Sequence, residues 1–240
     1  MQEDALYPIM LRLAGRRCAV IGGGKVAERK VAALMEAGAD RIDVIAEQVT
    51  DTLAELGHSS LVRIAQRPYE PADIQQAWLV IAATSDPVLN ARIVSEADAL
   101  GIWANSASEG GEGSFVTPAV VRRGDLVIGV TTSGASPSLA ARLKLELEQQ
   151  YGDEYGARLQ SLRLVRDRLL SSDYVIRSET DQLAAKQHLL RAAAADETGW
   201  QELARVREDL TSTDIDIAKA TDGWIDQLSK QLLLGGEACV

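Results

Sequence analysis

Residues 16–30 read RRCAVIGGGKVAERK, an apolar run that stops on three glycines and switches at once to helical spacing. Arg16–Ile21 has the composition of a short buried strand. From Lys25 to Glu36 the apolar residues Val26, Ala27, Val31, Leu34 and Met35 recur at helix period. Gly38 follows the last turn, where a glycine ends a helix without a Cβ penalty. Gly22-Gly23-Gly24-Lys25-Val26-Ala27 matches G-x-G-x-x-G/A between that strand and that helix. Gly22 permits the tight turn, Gly24 lets the backbone approach a pyrophosphate, and small Ala27 lets helix and strand pack closely. The helix N-terminus offers free N–H groups and a positive dipole end to the phosphates. The spacing therefore predicts a dinucleotide site built on Gly22, Gly23, Gly24, Lys25, Val26 and Ala27.

Working outward, strand-like and helix-like segments alternate. Arg41–Ala46 and Leu61–Ala65 read as strands, and Trp78–Ala83 is apolar throughout, as a strand covered on both faces should be. Asp86-Pro87 reads as a helix start, cap then proline, with the helix running to about Leu100. Gly101–Ala104 is expected as a fifth strand. This alternation predicts an α/β fold, a Rossmann-type doubly wound parallel sheet. The switch-point rule puts the cofactor's far wall at Ala83, Thr84, Ser85 and Asp86, with Asp86 and Asn90 serving equally as cap and helix residues. About 20 residues past the glycines, Glu47 is the candidate acid for a ribose hydroxyl, which favours NAD over NADP. Alternatively, it caps the segment that follows. Gln48 and Arg41 are the neighbours that would soften the preference.

After Asn105 the pattern changes. Residues 106–113 (SASEGGEG) form a glycine-rich loop, Leu126–Thr131 is a further strand, and Ser136-Pro137 opens a helix to about Gln150. From Tyr155 to Leu170 and from Thr180 to Leu234 the chain is charged, Ala/Leu-rich and helical. The expected domains are a dinucleotide-binding domain over 1–114, a small α+β dimerisation element over 115–150 and an α-helical C-terminal domain over 151–240. The apolar strand and the helix bearing Leu139, Leu143 and Leu147 suggest a homodimer, or else a core of the chain's own.

The chain's 240 residues carry a formal net charge of −10. Nucleic-acid binding, which needs a basic footprint, is not expected. No apolar run approaches the ~18 residues of a membrane span, and Met1–Leu11 lacks the pattern of a signal peptide. Cys18 sits in a strand pattern and Cys239 far from it. Neither has a partner at metal-ligand spacing, so no metal site is expected, and a reduced, cytoplasmic setting is the simplest one. His58 and His188 read as surface or packing residues.

Several segments together resemble the precorrin-2 dehydrogenase family, which includes the amino-terminal module of siroheme synthases. They are Tyr7-Pro8 with Leu11, Gly22 to Lys30, Ala82 to Asp86 with Leu89-Asn90, and Asn105. Ser114-Phe115 with Pro118-Ala119 and Thr131 to Pro137 complete the set. The likeness covers roughly residues 5–170, in order and at family spacing. It implies NAD-dependent oxidation of precorrin-2 to sirohydrochlorin by a homodimer. Some members also insert ferrous iron. The resemblance implies a cofactor-binding role for Asn105, a catalytic one for Thr132 at the position of an active-site serine, and a substrate-binding one for Ser133. It also implies a substrate with eight carboxylates, for which Arg122, Arg123 and Arg142 are candidate partners. Where the family carries an acid/base aspartate, three residues after Asn105, this chain has Ser108. Serine is no carboxylate base, so Glu109 or Glu112 substitutes, or no base is needed. The alternatives to a simple dehydrogenase are a bifunctional enzyme that also chelates iron, and a non-catalytic NAD-binding sensor.

Overall fold

A computed structural model describes residues 5–107, 113–172, 174–176, 182–209 and 211–236. The chain divides into two compact units. One comprises residues through Pro118 plus Thr131–Pro137, the other Ala119–Val130 and the chain from Ser138 onward.

The first unit is a parallel sheet of five strands: β1 (Arg17–Ile21), β2 (Arg41–Ile45), β3 (Val62–Ala65), β4 (Leu79–Ala82) and β5 (Trp103–Ser106). Their order is β3-β2-β1-β4-β5. β1 therefore lies between β2 and β4, with Ile21 opposite Ile45 on one side and Ala82 on the other. Helices α1 (Lys25–Glu36), α2 (Asp51–Leu56) and α3 (Pro87–Ala99) connect the strands. Successive residues of β1 serve opposite faces, as a strand's two-residue period requires. Cys18 and Val20 join Val31, Val44 and Ile81 in one core, while Ala19 and Ile21 join Ile45, Val80 and Ile93 in another. All of these are at most 3% exposed. Each large aliphatic among them contributes roughly 1.5–3 kcal/mol by leaving water. Cys18 is fully buried, and burial, aided by the charge of Asp40, pushes its thiol up to about 11. It is a packing residue with an inert thiol.

The doubly wound sheet is as expected, but two details differ. The fifth strand begins at Trp103, because Gly101 and Ile102 belong to the end of α3. Gly101, at φ 69°, donates to Asp98, and Ile102 donates to Ala97, the paired bonds of a Schellman close. Gly38 ends α1 in the same way, with Ala39 donating to Leu34. The segment after β2 is the short helix α2, and Glu47 is not its cap. Its cap is Thr50, whose Oγ1 accepts from the Leu53 N–H.

The second unit holds an antiparallel hairpin, β6 (Ala119–Arg123) and β7 (Leu126–Val130), turned at Gly124-Asp125, and helices α4 (Pro137–Gln150), α5 (Glu154–Leu170), α6 (Gln182–Ala195), α7 (Gly199–Glu208) and α8 (Asp214–Gly236). β6 was not read from the sequence, and the long helical tail is broken into separate helices. Val165, Leu169, Leu189, Leu203, Trp224, Ile225 and Leu228 form a core of their own. Asp196 holds the α6–α7 turn, accepting from the N–H groups of Thr198 and Gly199 and from Trp224 Nε1. Among the described residues no helix is long and apolar enough to cross a membrane.

Candidate cofactor site

The carboxyl ends of β1 and β4 meet at the point where the strand order reverses, and the three glycines lie there. Gly22, at φ 126°, donates its N–H to Ile45 and so continues the ladder one residue beyond β1. A Cβ on Gly22 would collide with the carbonyl of Ala83, and one on Gly23 with the carbonyl of Gln48 and the Cβ of Ala46. A Cβ on Gly24 would meet nothing within 4 Å. The first two glycines thus let the protein approach itself, while the third leaves open ground before α1. The need for Gly23 was not visible in the motif, because the neighbour that requires it lies some 25 residues further on.

Gly24 is the N-cap of α1 and supplies no capping side chain. The first helical bond runs from Glu28 N–H to the Gly24 carbonyl. The N–H groups of Lys25, Val26 and Ala27 therefore have no partner within the helix and face the open ground with the helix dipole behind them. Ala27 is fully buried, which fits its expected role in close packing. Lys25 pairs with Glu28 at 3.0 Å. The Glu28 carboxylate also accepts from Thr50 Oγ1 at 2.7 Å. That hydroxyl, followed by the Lys25 ammonium, holds the carboxyl below its usual range. Thr50 also donates its N–H to the Gly23 carbonyl. One residue thus caps α2 and fastens the segment after β2 to the glycine turn. The pattern of Thr50 followed by Asp51 and, two residues on, Leu53 was the signal that could have revealed it.

Glu47 is exposed, two residues beyond the end of β2. Because Thr50 does the capping, that alternative for Glu47 falls away. Arg41 is not its neighbour: it opens β2 at the other end, roughly 13 Å from Ile45 at ~3.3 Å per residue.

On the far wall, Ala83 donates to Ile21 at 2.7 Å. Asn90 is 1% exposed. Its Oδ1 accepts from the N–H and hydroxyl of Thr84, and its Nδ2 donates to the Thr84 carbonyl. Asp86 caps α3, accepting from Val88 and Leu89, with Pro87 at the first helical position. These side chains hold the β4–α3 turn rigid, so that Thr84, Ser85 and Asp86 stand opposite the glycines at the ends of β1 and β4.

Asn105 lies within β5 and is 4% exposed. Its Nδ2 donates to the Phe115 carbonyl at 2.9 Å. Gly113 bridges to Asn105, and Ser114 bonds Ala104 in both directions. Both arms of the loop are therefore pinned. Ser108, Glu109 and Glu112 lie outside the described residues.

Thr132 Oγ1 accepts from the Ser136 N–H. Ser133 is held at φ 50°, a conformation few non-glycine residues adopt. Arg122, Arg123 and Arg142 belong to the second unit. Arg123 is committed within that unit, donating to the carbonyls of Tyr151, Arg122 and Glu148 and pairing with Asp153. It closes the C-terminal end of α4 and has little capacity left for a ligand. Arg142 makes an exposed pair with Glu146. Arg122 is the least committed of the three. His188 is exposed, and His58 follows α2 beside the Glu55 carbonyl. Among the described residues no three His, Cys, Asp or Glu side chains gather where a metal could be held.

Residues 9–119 match a family model described as "Putative NAD(P)-binding". A siroheme synthase of Nitrosococcus oceani is 38% identical over 149 residues, which is 62% of this chain and 32% of that protein. A siroheme synthase of Ectopseudomonas mendocina is 39% identical over 162 residues, 68% of this chain and 34% of that protein. The chain spans about a third of the length of these curated relatives. Among solved structures, "SirC, precorrin-2 dehydrogenase" superposes with a TM-score of 0.67, covering 94% of this chain and 100% of that one at 24% identity. At that identity the match shows a shared fold.

Proposed function

We propose that the chain, similar over its sheet domain to siroheme synthases, belongs to the module family of those proteins and oxidises precorrin-2 to sirohydrochlorin with NAD. The observation that carries the proposal is the open helix N-terminus at Gly24, set at the switch point of the sheet and walled by Thr84 to Asp86. The residues present fit a dinucleotide: Gly24 leaves the backbone accessible, and Lys25, Val26 and Ala27 present N–H groups that no carbonyl of the helix takes. When bound, the nicotinamide supplies a two-electron acceptor for hydride. The chain's share is positioning and the exclusion of side reactions. Gly22 to Ala27 hold the pyrophosphate, Glu47 holds a ribose hydroxyl, and the Asn90-braced turn fixes the far wall. The proton lost from the macrocycle passes to the carboxylate of Glu109 or Glu112, or to water, since Ser108 has no oxygen basic enough to take it. With no carboxylate at position 108, the proposal stops at oxidation and does not extend to iron insertion.

The decisive assay is anaerobic incubation with precorrin-2 and NAD. Sirohydrochlorin and NADH should appear in equal amounts, and sirohydrochlorin without NADH production would overturn the reading. We also propose a homodimer formed through residues 115–150, acting in the cytoplasm, where a thiol such as Cys18 remains reduced. Light scattering at micromolar concentration should report twice the chain mass. A monomer there removes the dimer from the proposal.

A further inference from the structure

We propose that Lys30 is a substrate-binding residue, its ammonium taking one carboxylate of the polycarboxylate macrocycle. This rests on the reading of the chain as a tetrapyrrole dehydrogenase. Lys30 lies on α1, the helix that the glycine turn opens. Its Nζ donates to Thr117 Oγ1 at 2.6 Å. Thr117 belongs to the segment that returns from β5, and that segment is fixed by independent bonds: Asn105 Nδ2 to Phe115, and Ser114 to Ala104. The ammonium is therefore held in place, with one of its three donors used.

Among the described residues no acid neutralises it. Glu28, the nearest carboxylate along the helix, is occupied by Lys25 and Thr50. The influences on the Lys30 ammonium are burial and then the like charge of Arg29, and both depress its pKa. A half-buried cation held by a single hydroxyl is costly unless something else compensates it. In a chain of net charge −10 the overall field repels a polyanion, so binding one requires cations that the protein's own acids leave free. Lys25 is spent on Glu28, and Arg123 and Arg142 are engaged in their own unit, to which the less committed Arg122 also belongs. Lys30, bonded to a hydroxyl and paired with no described acid, stands in the same unit as the cofactor turn. A staple between α1 and Thr117 would not need a charge, since a neutral donor would serve as well.

The test is anaerobic titration of the full chain with sirohydrochlorin, and separately with NADH, for wild type, Lys30→Met, Lys30→Arg, Lys30→Gln and Thr117→Val. Losing a hydrogen bond to a charged group should weaken sirohydrochlorin binding about tenfold or more in Lys30→Met and Lys30→Gln. Lys30→Arg should recover most of the affinity, and Thr117→Val should stay within about threefold of wild type, because it removes only the hydroxyl and leaves the charge. NADH affinity should be unchanged in all of them, and added salt should weaken wild type more than Lys30→Met. Sirohydrochlorin binding as tight in Lys30→Met and Lys30→Gln as in wild type would overturn the assignment. So would a parallel loss of NADH affinity, which would mark Lys30 as part of the packing of α1. A wild-type protein that binds NADH but no sirohydrochlorin would overturn the proposed function itself, and this inference with it.

Discussion

Gly23→Ala is expected to lose dinucleotide binding and thermal stability together, whereas Gly24→Ala loses the first and keeps the second. The two positions are adjacent in one motif, but different atoms surround them. A methyl at position 23 enters space held by the Gln48 carbonyl and the Ala46 side chain. Neither can retreat easily. Ala46 is tied by its N–H to Ala65, and the Thr50 N–H is bonded to the Gly23 carbonyl itself. Overpacking against fixed backbone costs about 1–3 kcal/mol or more, and here it also displaces the turn that aims α1. At position 24 a methyl meets no protein atom within 4 Å, and the backbone, at φ −85°, suits any residue. Its only cost is to the ligand, whose phosphate would otherwise sit against bare backbone. Thermal melts paired with NADH titration separate the cases. Gly24→Ala should melt within about 2 °C of wild type, a stability change of a few tenths of a kcal/mol. Its NADH affinity should fall at least about tenfold, equivalent to ~1.4 kcal/mol. If both variants melt early, position 24 is not open ground, and if Gly24→Ala keeps its NADH affinity, the cofactor does not lie against it.

This pair also shows how far the sequence could be read. The strand–turn–helix of the candidate site was legible because it is local: strand, turn and helix N-terminus follow one another within 12 residues, 16–27. The alternation that gives the doubly wound sheet is local as well, and so are the Asp86-Pro87 cap and the Gly38 stop. What escaped notice depended on partners distant in sequence. Gly23 needs Gln48, Glu28 is occupied by Thr50, and Arg123 is spent on the end of α4. Arg41 was taken for a neighbour of Glu47 because they are close in sequence, but a strand separates its two ends. The fifth strand was misplaced because Gly101-Ile102 is apolar enough to look extended while its hydrogen bonds belong to α3. β6 carries two consecutive arginines, Arg122 and Arg123, at its end, and that charge hid a strand whose Val121 is fully buried.

Glu47→Ser is expected to move the cofactor preference from NAD towards NADP by about 10²-fold. The estimate combines two effects of ~1–1.5 kcal/mol each, the loss of a charge-assisted bond to a ribose hydroxyl and the removal of repulsion towards a 2′-phosphate. The segment bearing Glu47 is tied to the sheet and to the glycine turn through its backbone. Ala46 is bonded to β3, the Gln48 carbonyl abuts Gly23, and Thr50 holds the Gly23 carbonyl. The position of Glu47 relative to the glycine turn is therefore set by backbone, and substitution of its side chain should leave the pyrophosphate site intact. Lys25, the nearest cation along the turn, is already bonded to Glu28. Arg41 lies at the opposite end of β2, and so neither is placed to welcome a phosphate in the wild type. Titration with NADH and with NADPH reads the ratio directly, and Glu47→Ser should bind NADH more weakly and NADPH more tightly. A ratio unchanged by the substitution would mean that the ribose is held elsewhere. A fall in both affinities would mean that Glu47 supports the turn instead of reading the sugar. Thr50 takes the capping role and leaves the Glu47 carboxylate exposed, so the proposed reading of the ribose competes with no bond that the α2 cap needs.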